Sequence, residues 1–113
     1  MKPATAKRKG AATEEEWVRY LRAAGWPYAE RRHLAGVMDR GDIAGCPGVT
    51  VEVNSGARLD LATWMKELAV EMRNDNTDTG YVAVRPKGSP NAGDWWCVVP
   101  AAVMVRLLKA AGW

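Results

Sequence analysis

Residues 49–54, Val-Thr-Val-Glu-Val-Asn, alternate apolar and polar without a break. Strand side chains two apart point to the same side, so this stretch suits a strand with two unlike faces. Val49, Val51 and Val53 take one face; Thr50, Glu52 and Asn54 take the other. Upstream, Cys46-Pro47-Gly48 is turn chemistry and "GDIAG" is a short incoming strand, so residues 41–56 read as a β-hairpin. A turn centred on residues 46 and 47 sets Asp42 across from residue 51 or 52. Its carboxylate and that of Glu52 then come within roughly 5–8 Å. Like charges that close repel unless something positive sits between them. A hard divalent cation, which takes oxygen ligands, is one remedy. Exposure of both acids at a hairpin edge is the other.

A third acid bears on that choice. Thr13 is a plausible N-cap for "EEEWVRYLRAAGW", whose Trp17, Val18, Leu21 and Ala24 share one helical face, with Gly25 as the stop. Glu14 precedes Trp17, Val18 and Leu21 by three, four and seven, so it lies on the inward stripe, while Glu15 and Glu16 can point to water. A carboxylate there needs a partner. Arg31 or Arg32 would supply a salt bridge; a metal site shared with Asp42 and Glu52 would serve as well.

The remaining elements follow from periodicity. "PYAERRHLAG" is a weakly alternating extended segment. Asp60 can cap a helix over "LATWMKELAVEMRN", whose stripe is Leu61, Trp64, Met65, Leu68 and Met72. "GYVAVRP" and "WWCVVP" are strands joined by a loop through residues 87–93, and "AAVMVRLLKAAGW" closes as a helix. The order α-β-β-β-α-β-β-α predicts an α/β fold with a mixed sheet flanked by helices. Residues 13–113 read as one domain, preceded by a basic, flexible tail over residues 1–12. Lys2, Lys7, Arg8 and Lys9 give the first ten residues a charge of +4 out of a net +3, so the basic character belongs to that tail. It suits phosphate contacts or plain solvation. No apolar run approaches the ~18–20 residues of a membrane span, and two cysteines imply no disulfide framework. A cytoplasmic protein is expected.

The run "GDIAGCPGVTVEVN", set between two amphipathic helices, resembles the PD-(D/E)XK nuclease superfamily. The longer string "AERRHLAGVMDRGDIAGCPG", with the later "GDWW", is similar to the small Holliday-junction resolvases of actinobacteria and their phages. The resemblance covers nearly all of the chain after residue 13. It implies a restriction-endonuclease-like fold and Mg²⁺-dependent hydrolysis of phosphodiester bonds in four-way DNA junctions, with Mn²⁺ as a substitute ion. It also implies a homodimer, whose two sites match the two cuts a junction needs.

Position by position, the resemblance makes Asp42 and Glu52 metal ligands, joined by the backbone carbonyl of Val53, and makes Glu14 the first-helix glutamate of the site. Asn54 stands where that superfamily has its lysine, so the fourth catalytic position lacks a positive charge. Lys66 or Arg58 could supply one. The alternatives are a catalytically impaired protein that binds branched DNA, or a related nicking or repair nuclease. Arg31, Arg32, Arg40, Arg85 and Lys87 are the candidate DNA contacts. His33 has no Cys or Ser partner by spacing and reads as structural or as a phosphate contact. Of the six tryptophans, Trp17 and Trp64 fit helix stripes. Trp95 and Trp96 must face opposite sides of a regular strand, so one of them is core. Val103, Val105, Leu107 and Leu108 offer apolar surface for a dimer.

Overall fold

The structure, a computed structural model, describes residues 3–33, 38–56 and 58–113. Helix α1 (Pro3–Ala24) leads into β1 (Glu30–Arg31), β2 (Ile43–Ala44) and β3 (Val49–Ser55). Helix α2 (Leu61–Asp75), β4 (Thr79–Arg85), a 3-10 turn (Ala92–Asp94), β5 (Trp96–Val98) and α3 (Ala101–Ala110) follow. The element order is the one expected. The five strands form one mixed sheet in the order β1-β2-β3-β4-β5. Among the described residues only β3 and β4 run parallel, over seven residue pairs, with α2 as the crossover. Among the described residues no helix is long and apolar enough to cross a membrane.

The N-terminus departs from expectation. Helix α1 begins at Pro3 rather than after a cap at Thr13, and Thr13 is buried within it. Pro3 suits a first helical position, and the alanines, lysines and arginine after it are strong helix formers, enough to carry the single Gly10. These residues lack an apolar stripe, so periodicity missed them. Lys2 and the side chains of Lys7, Arg8 and Lys9 lie outside the described residues, as does the end of the extended segment at 34–36.

The alternation in β3 sorts the interior into two layers. Val51 and Val53 pack with Trp17, Val18, Leu21, Ile43 and Ala83 against α1. Val82 and Val84 of β4 pack with Leu68 of α2, joined by Trp64, Met65 and Met72. Thr50, Glu52 and Asn54 therefore look toward α2. Trp95 is the buried member of its pair and Trp96 is 52% exposed. Trp95 stacks on Trp17 at 5.6 Å and 14°. The Trp17 indole N–H donates to the Tyr81 hydroxyl at 3.0 Å. Leu61 and Ala24, expected on apolar stripes, are exposed at helix ends.

Trp17 thus ties α1 to β4 and to the loop before β5. Trp17→Ala should cost about 3–5 kcal/mol in urea unfolding, the range for a large buried aromatic. A cost under 1 kcal/mol would contradict this packing.

Candidate functional site

Register brings the predicted pair together. Ile43 opposes Val51 across the antiparallel β2–β3 ladder, and the Asp42 N–H donates to the Val51 carbonyl at 2.8 Å. One step along, Asp42 faces Glu52. The Asp42 side chain then acts as a strand partner, with Oδ2 accepting from the Val53 N–H at 2.9 Å. Gly41 makes this approach possible. Its φ is +95°, and a Cβ there would lie 2.8 Å from the Val51 carbonyl oxygen.

Two further acids join the pair. Asp39, Glu52 and Glu71 offer carboxylate oxygens that lie within 4.8 Å of one another, a grouping that can hold a metal ion. Their convergence has a local cause. Thr50 of β3 donates its hydroxyl to Asp75 Oδ2 at 3.0 Å and also bonds Thr77, which pins the end of α2 to the sheet. Glu71 lies about one helical turn before Asp75, and Glu52 two residues beyond Thr50, so the two meet. Asn74 of α2 donates to the Asp39 backbone carbonyl at 2.8 Å, while Asp39 Oδ1 accepts from the Gly41 N–H at 3.0 Å. That bond ties the Asp39 loop to α2.

Glu71 had a legible signal. It follows Trp64 by seven and Leu68 by three, so it sits on the apolar stripe of α2 just as Glu14 sits on that of α1. Asp39 had no such signal, because its place depends on the distant Asn74. Glu71 is only 3% exposed, and its Oε1 has no hydrogen-bond partner.

The charges are strained by this arrangement. Burial, then the charges of Asp42 and Glu71, raise the pKa of Glu52 to about 11. Burial, then Asp39, push Glu71 up to about 8. Asp42 is raised to about 6 by burial, opposed by the Val53 N–H, with the charge of Glu14 adding to the rise. Without a cation, Glu52 and Glu71 hold protons at neutral pH that ordinary carboxylates have lost, and Asp42 gives up its own later than an ordinary aspartate. A set of carboxylate oxygens that runs from exposed Asp39 to buried Glu71, with one orphaned oxygen, fits a hard divalent ion.

The other predicted residues separate into paired and exposed. Glu14 binds Arg31 at 2.9 Å, the salt-bridge alternative, while remaining near enough to act on Asp42. Arg32 lies 3.8 Å from Asp75 and donates to the Ile43 carbonyl, leaving its buried Nε without a partner. Glu16, expected in water, instead pairs with Arg85 at 3.1 Å, because the end of β4 lies beside α1. The Arg85 guanidinium also sits 5.8 Å from the centre of the Trp95 ring. Arg40, Lys87, Arg58, Lys66 and His33 are exposed, so Lys66 does not flank the core. Lys87 and Arg85 line a pocket of about 320 Å³ with Ala12, Thr13, Ser55 and Pro86. Asn54 is half-buried on the same face as Glu52, and the Val53 side chain lies in the layer against α1.

Comparison with family models, curated proteins and solved structures gave no match.

A raised carboxylate pKa stabilises the fold below the unfolded value and loses that contribution as pH rises through the folded one. For Asp42 that window runs from 3.8 to about 6, and for Glu71 from 4.5 to about 8. In EDTA, the melting temperature should therefore fall between pH 5 and pH 8, and fall less steeply in Glu71→Gln. Equal slopes in the two proteins would contradict the buried carboxylate cluster.

Proposed function

We propose that the chain is a divalent-metal-dependent endonuclease of the PD-(D/E)XK type that cuts branched DNA, with the four-way junction as its substrate. The observation that carries this reading is Asp42 set opposite Glu52 on neighbouring strands, with Glu14 of the first helix, itself paired with Arg31, close enough to Asp42 for its charge to be felt there. The motif pattern of the sequence asks for that convergence. The mixed sheet between helices is compatible with a restriction-endonuclease-like fold.

In this reading Asp42, Glu52 and the Val53 carbonyl would hold Mg²⁺. The ion would supply Lewis-acid stabilisation of charge developing on the phosphate and acidify water near it. The chain's own part is orientation. The Val53 N–H fixes the Asp42 carboxylate, and the β3–β4 ladder fixes Glu52. Exposed Arg40 and Lys87 are the cations best placed to meet the DNA backbone, because Arg31, Arg32 and Arg85 already have acidic neighbours. A two-fold dimer would present two sites to one junction. The exposed Met104, Val105, Leu107 and Leu108 of α3 supply apolar surface for it, whereas Val103 is already buried.

Asn54 favours a second reading, in which the protein binds junctions and cuts them poorly. Asn can hydrogen-bond but brings no charge, and the substitutes Lys66 and Arg58 are exposed.

Incubation with a synthetic four-way junction and a linear duplex, in Mg²⁺ or EDTA, separates these readings. The nuclease reading predicts paired, Mg²⁺-dependent nicks in the junction alone, lost in Asp42→Asn. It also predicts cutting raised by about tenfold or more in Asn54→Lys, since a correctly placed charge is worth that much in a transition state. Junction binding without nicks supports the second reading. No preference for the junction defeats both.

A further inference from the structure

We propose that Asp39, Glu52 and Glu71 form a divalent-cation position of their own, beside the Asp42–Glu52 pair, with Glu52 shared between the two. The ligand set joins a loop, a strand and helix α2, and two of its three members lie outside the motif that singled out Asp42 and Glu52.

Three observations carry the proposal. The first is geometric. Oxygens around one small hard ion at about 2.1 Å lie about 3–4 Å apart. The three carboxylates already approach to within 4.8 Å of one another. Asp39 is exposed, which leaves the position open to solvent and to the waters that Mg²⁺ retains.

The second is the orphaned oxygen. Glu71 occupies a buried position on the apolar stripe of α2. It is 3% exposed, its carboxylate belongs to the cluster, and Oε1 has no partner. A buried carboxylate oxygen without a partner costs stability unless something binds it. A cation between Asp39 and Glu52 would meet that need.

The third is the count of charges. Among the described residues, no salt bridge reaches Asp39, Asp42, Glu52 or Glu71. Two neighbouring guanidinium groups are committed, Arg31 to Glu14 and Arg32 to Asp75. With all four carboxylates ionised, as cation binding would require, one divalent ion offsets two of the four negative charges and two ions offset all of them. A second ion would also bring positive charge to the face that carries neutral Asn54.

The position beside Asp42 rests on the nuclease reading, but cation binding by Asp39, Glu52 and Glu71 does not require the chain to cut DNA. The test is a Mn²⁺ titration of the full chain, with free ion counted by electron paramagnetic resonance and heat measured by calorimetry. Wild type should bind two Mn²⁺. Glu71→Gln and Asp39→Asn should each lose one, or weaken one at least tenfold. Asp42→Asn should keep the ion that depends on Glu71. Glu71→Gln is nearly isosteric and Asp39 is exposed, and thermal melts in EDTA check that both variants fold. A stoichiometry and affinity unchanged in both variants would overturn the proposal, as would a wild type that binds no Mn²⁺. Two bound ions in a protein that leaves every junction uncut would defeat the nuclease reading and leave this one standing.

Discussion

Strand β3 is covered on both faces. Its valines are held by α1, and its seven pairs with β4 keep it from turning. Thr50, Glu52 and Asn54 must therefore look toward α2, and Glu52 cannot reach open water by rotating its strand. The hydrogen bonds of Thr50 to Asp75 and Thr77 then close the gap between sheet and helix at one end of α2. Everything distinctive about the site follows from this fixed geometry. Glu71 is brought to Glu52 by helix rise, Asp42 by hairpin register, and Asp39 by its backbone bond to Asn74.

The cluster works against the fold that builds it. Desolvated like charges raise one another's pKa, so the metal-free chain compensates by holding protons. A divalent cation and a proton compete for the same oxygens, and binding the cation must release protons. The native geometry is thus coupled to solution conditions through Asp42, Glu52 and Glu71. The valine layer and the Trp17–Trp95 stack contain no group that titrates in that range and supply stability independent of it. The arginines divide along the same line. Arg31 and Arg32 buttress the border of the cluster through Glu14 and Asp75 rather than neutralising its centre.

Much of this was legible in the residues, and the exceptions have physical reasons. Element order followed from strong period-2 and period-3.6 patterns. The Asp42–Glu52 meeting followed from a short turn and strand alternation, which are local. The start of α1 was missed because Ala, Lys and Arg make helix by intrinsic propensity and leave no apolar stripe. The Glu16–Arg85 pair was missed because it joins elements far apart in the chain. Glu71 was within reach of the argument applied to Glu14, since an acid on an apolar stripe demands a partner. Asp39 was out of reach, because a loop carboxylate placed by a contact with α2 leaves no periodic trace.

The central claim is that these acids surround cations rather than solvent. Anomalous diffraction from crystals soaked in Mn²⁺ tests it most directly. The account predicts strong peaks among the oxygens of Asp39, Glu52 and Glu71 and between Asp42 and Glu52. A map with no peak there, or with manganese bound only at other surface acids, would contradict it.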